Sequence, residues 1–217
     1  VYFLFTALCG LNYYRYTFTE HTGYDVEEAD VEPARRQEEL VALTATLADE
    51  LGQTRALLGD DADLFDVEPG QFERYAQESV DAMRKLAEQY PALERPLYSP
   101  PKPVLASELM SYANIGGMFF PFTMESNINV DNPSFAIPWA MAHELAHQCG
   151  FMREDEANFI AYLACKGSDD ALMRYSGYLL AYDYAVSALR KVDPEASSAI
   201  ASGLSAALQR DLAQRAE

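Results

Sequence analysis

From Pro33 onward, leucines recur at steps of three and four, at Leu40, Leu43, Leu47 and Leu51, which is the repeat of one helix face. Pro33 pre-sets a first turn and Gly59 offers a stop, so the pattern predicts one long amphipathic helix between them. A second helix is predicted from about Gln71 to Tyr90. The stretch from Pro91 to Pro103 also carries Pro96, Pro100 and Pro101. These rings remove amide donors and bias the preceding residue toward extended backbone, so an extended connector is expected there. The segment from Val104 to Val130 is the one that reads as sheet. Met118-Phe119-Phe120-Pro121-Phe122 is bulky and bounded by Gly116-Gly117, while Glu125, Asn127 and Asn129 alternate with Ser126, Ile128 and Val130 at the strand period. Pro121 cannot donate to a ladder and suits a sheet edge.

The second half is patterned differently. An apolar run from Pro138 to Gly150 carries Ala140, Ala142 and Ala146, small residues that let another backbone approach; Pro133 and Pro138 mark its start and Gly150 its stop. A helix opening on Glu154-Asp155-Glu156 follows and runs to about Cys165, its acidic first turn matching the helix dipole. Gly167-Ser168-Asp169-Asp170 then breaks the chain and caps a helix to about Val192, on which Tyr175, Tyr178 and Tyr182 share one face, the usual mark of core packing. Asp193-Pro194 restarts a last alanine-rich helix. At the other end, Val1 to Leu11 is apolar but much shorter than the roughly 20 residues of a membrane helix. It reads equally as a core element or a membrane-proximal stub. Aromatic residues from Asn12 to Phe18 come next, then the acidic Glu27, Glu28, Asp30 and Glu32. The sum is an α+β chain that is mostly helical, with a small sheet.

With 217 residues, 49% of them hydrophobic, the chain suits a single domain over 1–217 with an ample core. A net charge of −18 argues against nucleic acid or an anionic membrane surface as the main partner. Cys9, Cys149 and Cys165 form no C-x-x-C pair, which suggests neither a disulfide framework nor a cysteine metal site. Gly59-Asp60-Asp61-Ala62-Asp63 lacks the ligand spacing of a calcium loop and reads as a solvated turn.

The candidate chemistry lies in His143-Glu144-Leu145-Ala146-His147. On a helix His143 and His147 stand one above the other, so both imidazoles reach one Zn²⁺ while Glu144 projects beside them toward water. Catalytic zinc usually takes three protein ligands. His21, the remaining histidine, lies far upstream, so a carboxylate is the expected third ligand. Steps of three and four from Glu154 meet Ala157, Asn158, Ala161, Ala164 and Cys165, a small-residue face suited to close packing on the histidine helix. Steps from Glu156 meet the bulkier Phe159, Ile160 and Leu163. Glu154 is therefore the expected ligand, with Glu156 as the alternative, and Asn158 is placed to bond a ligand histidine.

His-Glu-Leu-Ala-His followed by Glu-Asp-Glu-Ala-Asn resembles the gluzincin metallopeptidases, in which a glutamate on a following helix completes the zinc site, often in a Glu-x-x-Ala-Asp setting. Asn158 departs from that pattern, standing where Asp is common. Leu11-Asn12-Tyr13-Tyr14-Arg15, Gly116 to Thr123 and Glu125 to Asn129 are similar to a bacterial family of uncharacterised, membrane-anchored proteins. The resemblance implies a zincin-like domain, tethered by preceding membrane helices and facing outside the cytoplasm. It implies Zn²⁺ as cofactor, a peptide or protein substrate, and hydrolysis with Glu144 as general base. An edge strand near Asn127 and Asn129 would pair with substrate, although a hairpin that merely covers the core fits the same pattern. Tyr175, Tyr178 and Arg153 are the candidate oxyanion donors. The rival expectation is a non-catalytic binding or sensor domain that keeps the metal. Oligomeric state is left open.

Overall fold

Proline, glycine and a few side-chain caps punctuate the chain, and helices fill most of the intervals. The computed structural model describes residues 2–24, 32–59, 61–95 and 99–215. Val1, the acidic Glu27, Glu28 and Asp30, and the expected breakers Asp60 and Pro96 lie outside the described residues.

The apolar start forms α1 (Tyr2–Leu8), followed by a 3-10 turn over Gly10–Tyr14 and the short α2 (Phe18–Thr22). Thr17 and Glu20 cap α2 reciprocally, each side chain accepting from the other's amide. Phe18 is fully buried, which fastens this segment to the domain. The leucine repeat forms α3 (Pro33–Leu58), with Pro33 in its first turn, and the second predicted helix forms α4 (Gln71–Gln89). The connector is not extended throughout. Pro91–Leu93 makes a 3-10 turn, which a proline at its first position permits because that amide needs no partner. Lys102–Pro103 then enters the sheet as β1.

The sheet segment also holds a short helix, α5 (Ser107–Tyr112), where the period-two alternation is missing. Ser107 Oγ ties α5 in place, donating to the Val104 carbonyl at 2.7 Å and accepting from the Val130 amide at 2.9 Å. β2 (Gly117–Phe120) and β3 (Glu125–Ile128) form an antiparallel hairpin, and β1 pairs parallel with β3, so the order is β1-β3-β2 with β2 at an edge. Pro121 opens the hairpin turn immediately after β2 rather than lying within it.

A 3-10 turn at Ser134–Ala136 leads into α6 (Ile137–Gln148), with Pro138 in its first turn. Ser134 Oγ donates to the Leu64 carbonyl at 2.6 Å and anchors that entry. α6 runs through the centre of the molecule: Met141, Ala142, Leu145 and Ala146 are fully buried, and α4, α7 (Glu154–Lys166), α8 (Ala171–Val192) and the sheet pack around it. Asp170 caps α8 as expected, and Asp193 caps α9 (Pro194–Ser202), which precedes α10 (Ala206–Arg215). α7 and α8 approach so closely that a Cβ at Gly177 would lie 2.6 Å from the Cβ of Cys165. The architecture is α+β and mostly helical. Among the described residues no helix is long and apolar enough to cross a membrane.

Candidate functional site

The two histidines lie one turn apart on α6, facing the start of α7. Gly150 makes this possible: its φ of +88°, a left-handed conformation that L side chains rarely adopt, reverses the chain two residues after α6 ends. Glu154 then stands at the first position of α7, with Oε2 3.1 Å from His143 Nε2 and Oε1 3.7 Å from His147 Nε2. One ligand atom from each of these three residues lies within 4.8 Å of the others. Glu156 points elsewhere, its Oε1 accepting from the Phe18 amide at 2.6 Å.

Each imidazole is also bonded on its far side. His147 Nδ1 is 2.7 Å from the Phe151 carbonyl, which can only accept, so a neutral His147 carries its proton on Nδ1 and leaves a lone pair on Nε2. His143 Nδ1 is 2.8 Å from Asn158 Oδ1, and Asn158 Nδ2 donates to the Tyr184 hydroxyl at 2.6 Å. Burial, reinforced by neighbouring His147, pushes the pKa of His143 down to about 4, so it is neutral at physiological pH. The two Nε2 atoms therefore face the Glu154 carboxylate, with both Nδ1 atoms engaged on the far side.

Glu144 sits beside them, 4% exposed, and its Oε2 has no hydrogen-bond partner. Burial first, and the Glu154 charge second, raise its pKa to about 8, opposed by a hydrogen bond from the Phe119 amide. Gly117 on the edge strand makes room for it: a Cβ there would lie 2.7 Å from Glu144 Oε1. These groups line an open cleft of about 950 Å³. Its walls come from β2, from Asp183, Tyr184 and Lys191 on α8, and from Phe5, Cys9 and Tyr13 of the N-terminal segment. Glu154, its side chain 75% exposed, opens the cluster to solvent.

The structure thus brings together His143, Glu144, His147, Glu154 and Asn158, and separates the other expected residues from them. Tyr175 is fully buried and donates to Asp211 at 2.9 Å, so its hydroxyl is committed away from the cleft. Tyr178 packs against Tyr162 on the buried face of α8 and is not among the cleft-lining residues. Arg153 pairs with Asp155 at 2.9 Å on the surface. Asn129 is buried, donating to Ser111 Oγ and the Ile115 carbonyl at 2.9 and 3.0 Å. Asn127 donates to the Met118 and Glu125 carbonyls and lines a smaller groove beside α5. The tyrosine repeat marks a buried face correctly, but the α8 tyrosine at the cleft is Tyr184, which lies off that repeat. The Gly116-Gly117 pair is the signal by which the close approach of β2 to Glu144 is legible.

No curated protein and no solved structure matches the chain. The model of a family described as a protein of unknown function (DUF3810) matches residues 1–217, and the chain belongs to that family.

Proposed function

We propose that this protein is a zinc-dependent metallopeptidase whose ion is held by His143, His147 and Glu154. The observation that carries the reading is the convergence of three ligand groups. Two imidazole Nε2 atoms, each on a ring whose Nδ1 is engaged on the far side, meet a carboxylate within a 4.8 Å cluster, an arrangement that suits a cation between them. Three protein ligands of this chemistry fit a catalytic zinc and leave a position open toward the cleft. Bound there, the ion supplies Lewis acidity, making water acidic near neutral pH and polarising a carbonyl.

The chain's own residues do the rest. Glu144 Oε2, buried and unpartnered, takes the proton from attacking water and passes it to the leaving amine. Positive charge held at the triad would restore the Glu144 carboxylate near neutral pH, where burial and the Glu154 charge otherwise keep it protonated. Asn158 and the Phe151 carbonyl hold the imidazoles in the ligating tautomer. The edge strand β2, with Gly117 against Glu144, gives an extended peptide or protein substrate a backbone to pair with next to the base. The test is metal analysis after reconstitution. One zinc per chain is expected, lost in His143→Ala and His147→Ala and kept in Glu144→Gln; absence of stoichiometric zinc in the unaltered protein contradicts the reading. Stoichiometric zinc without turnover on any peptide would instead support a metal-keeping binding domain.

The tethered placement outside the cytoplasm, implied by the family resemblance, belongs to the same proposal. Protease added to intact cells is expected to cut the full-length protein; protection that ends only on lysis contradicts it.

A further inference from the structure

We propose that Arg15 is a positioning residue of this site, its guanidinium holding the Gly150 turn in the shape that presents His147 and Glu154 to one ion. The inference rests on the zinc-site reading above. Arg15 Nη1 donates to the Cys149 carbonyl at 2.8 Å, across 134 positions of sequence. That carbonyl belongs to the residue that caps the C-terminus of α6, where orphan acceptors and the helix dipole both favour a cation. The guanidinium also lies 4.3 Å over the ring of Phe151. Between these two contacts stands Gly150, where a Cβ would come within 2.7 Å of Arg15 Nη1. Arg15, with the Asn12 side chain beside it, thus fills the space a side chain would take.

The consequence reaches the histidine through one atom. Arg15 grips the residues on either side of Gly150, and the carbonyl of the second, Phe151, is the acceptor for His147 Nδ1–H. The same segment is fastened to the turn at three further points. Phe18 packs edge-on against Phe151 at 5.5 Å, Cys9 Sγ lies 3.2 Å from Met152 Sδ, and the Phe18 amide donates to Glu156. Residues 149, 151, 152 and 156, which bracket Glu154, are therefore shaped by contact with residues 9–18. A peptide plane displaced by an ångström at Phe151 frees His147 to carry its proton on Nε2, the tautomer that cannot ligate through that atom.

The experiment compares zinc affinity, by chelator competition, in the unaltered protein, Arg15→Ala, Arg15→Lys and Phe151→Leu. Nitrogen NMR of the imidazoles is recorded in the metal-free forms of each. Arg15→Ala is expected to weaken zinc roughly 10- to 100-fold and to turn His147 from a locked Nδ1–H tautomer into a mixture, with His143 unchanged as internal control. Arg15→Lys, which keeps the charge but loses the planar fork, falls between. If Arg15→Ala does not fold, Phe151→Leu and Arg15→Lys decide, since both keep the carbonyls and a cation, the first removing only the ring under the guanidinium and the second only its planar fork. Zinc affinity within twofold together with an unchanged His147 tautomer overturns the proposal. If the unaltered protein takes up no zinc, the metallopeptidase reading falls, and the His147 tautomer alone judges the clamp: a shift in Arg15→Ala upholds it and no shift ends it.

Discussion

Arg55 and Asp211 are buried as deeply as Glu144, and the two clusters differ in whether their polar atoms are matched. Arg55 Nε meets Asp211 at 2.6 Å, its other nitrogens reach the Gly59 and Ala62 carbonyls, and Tyr175 completes Asp211. α3, α8 and α10 are pinned together with no atom left over. Burial and the Asp211 carboxylate hold the Tyr175 phenol well above its usual range, so it stays a donor. At Glu144 the arrangement is the reverse: a buried oxygen has no partner, and the Nε2 atoms of two neighbouring imidazoles face a second carboxylate. The one other unpartnered buried side-chain oxygen among the described residues belongs to Glu78, whose second oxygen lies 3.7 Å from Arg74. Matched clusters serve stability, whereas an unmatched one costs stability and is explained by what it can bind or move.

That contrast can be broken at either end. The largest effect is expected at the matched cluster. Asp211→Asn leaves the Arg55 charge buried without its counter-ion and should lower unfolding free energy by about 3–5 kcal/mol in denaturant titrations, with little change in zinc affinity. At the unmatched cluster the sign reverses. Glu144 has its pKa raised from 4.5 to about 8 in the metal-free protein, so the neutral carboxyl's contribution is full below about pH 4.5 and is lost as pH rises through about 8. Metal-free Glu144→Gln should therefore gain on the unaltered protein over that window, by a few kcal/mol at its upper end. Parallel stability curves for the two proteins would show that Glu144 is not held in an unfavourable site.

Ligand identity sharpens the comparison further. Glu154→Gln should weaken zinc at least 100-fold, more than the loss of an outer partner, whereas Glu156→Gln, which only releases the Phe18 amide, should leave affinity within a few-fold. A larger loss in Glu156→Gln reverses the assignment. Asn158→Ala, removing the partner of His143 Nδ1, should cost about 10-fold.

Local spacing carried a good part of this. The leucine repeat, the proline and glycine breaks and the Asp170 and Asp193 caps place α3, α4 and α6 to α9 nearly where they stand, and the small-residue face following Glu154 singles out the carboxylate that meets both histidines. What local pattern cannot carry is a partner that is backbone or distant. The Phe151 carbonyl has no side-chain signature, and Arg15 reaches its acceptor across 134 positions. The tyrosines show the other limit. Helical period groups Tyr175, Tyr178 and Tyr182 on one face but does not say which face meets the cleft, and the α8 tyrosine that lines it is Tyr184. Asn129 shows a similar limit: strand alternation marks it as polar-face, yet it lies just past β3 and turns inward to satisfy Ser111 and the Ile115 carbonyl.

The most direct test of the central claim is cleavage of an unbiased peptide library by zinc-loaded protein and zinc-loaded Glu144→Gln, with metal content measured in both. The geometry predicts cleavage that chelator abolishes and zinc restores, and a loss of about 10²- to 10⁴-fold in the variant at equal zinc content. Equal cleavage by the two proteins, or no cleavage by fully zinc-loaded protein, would contradict it.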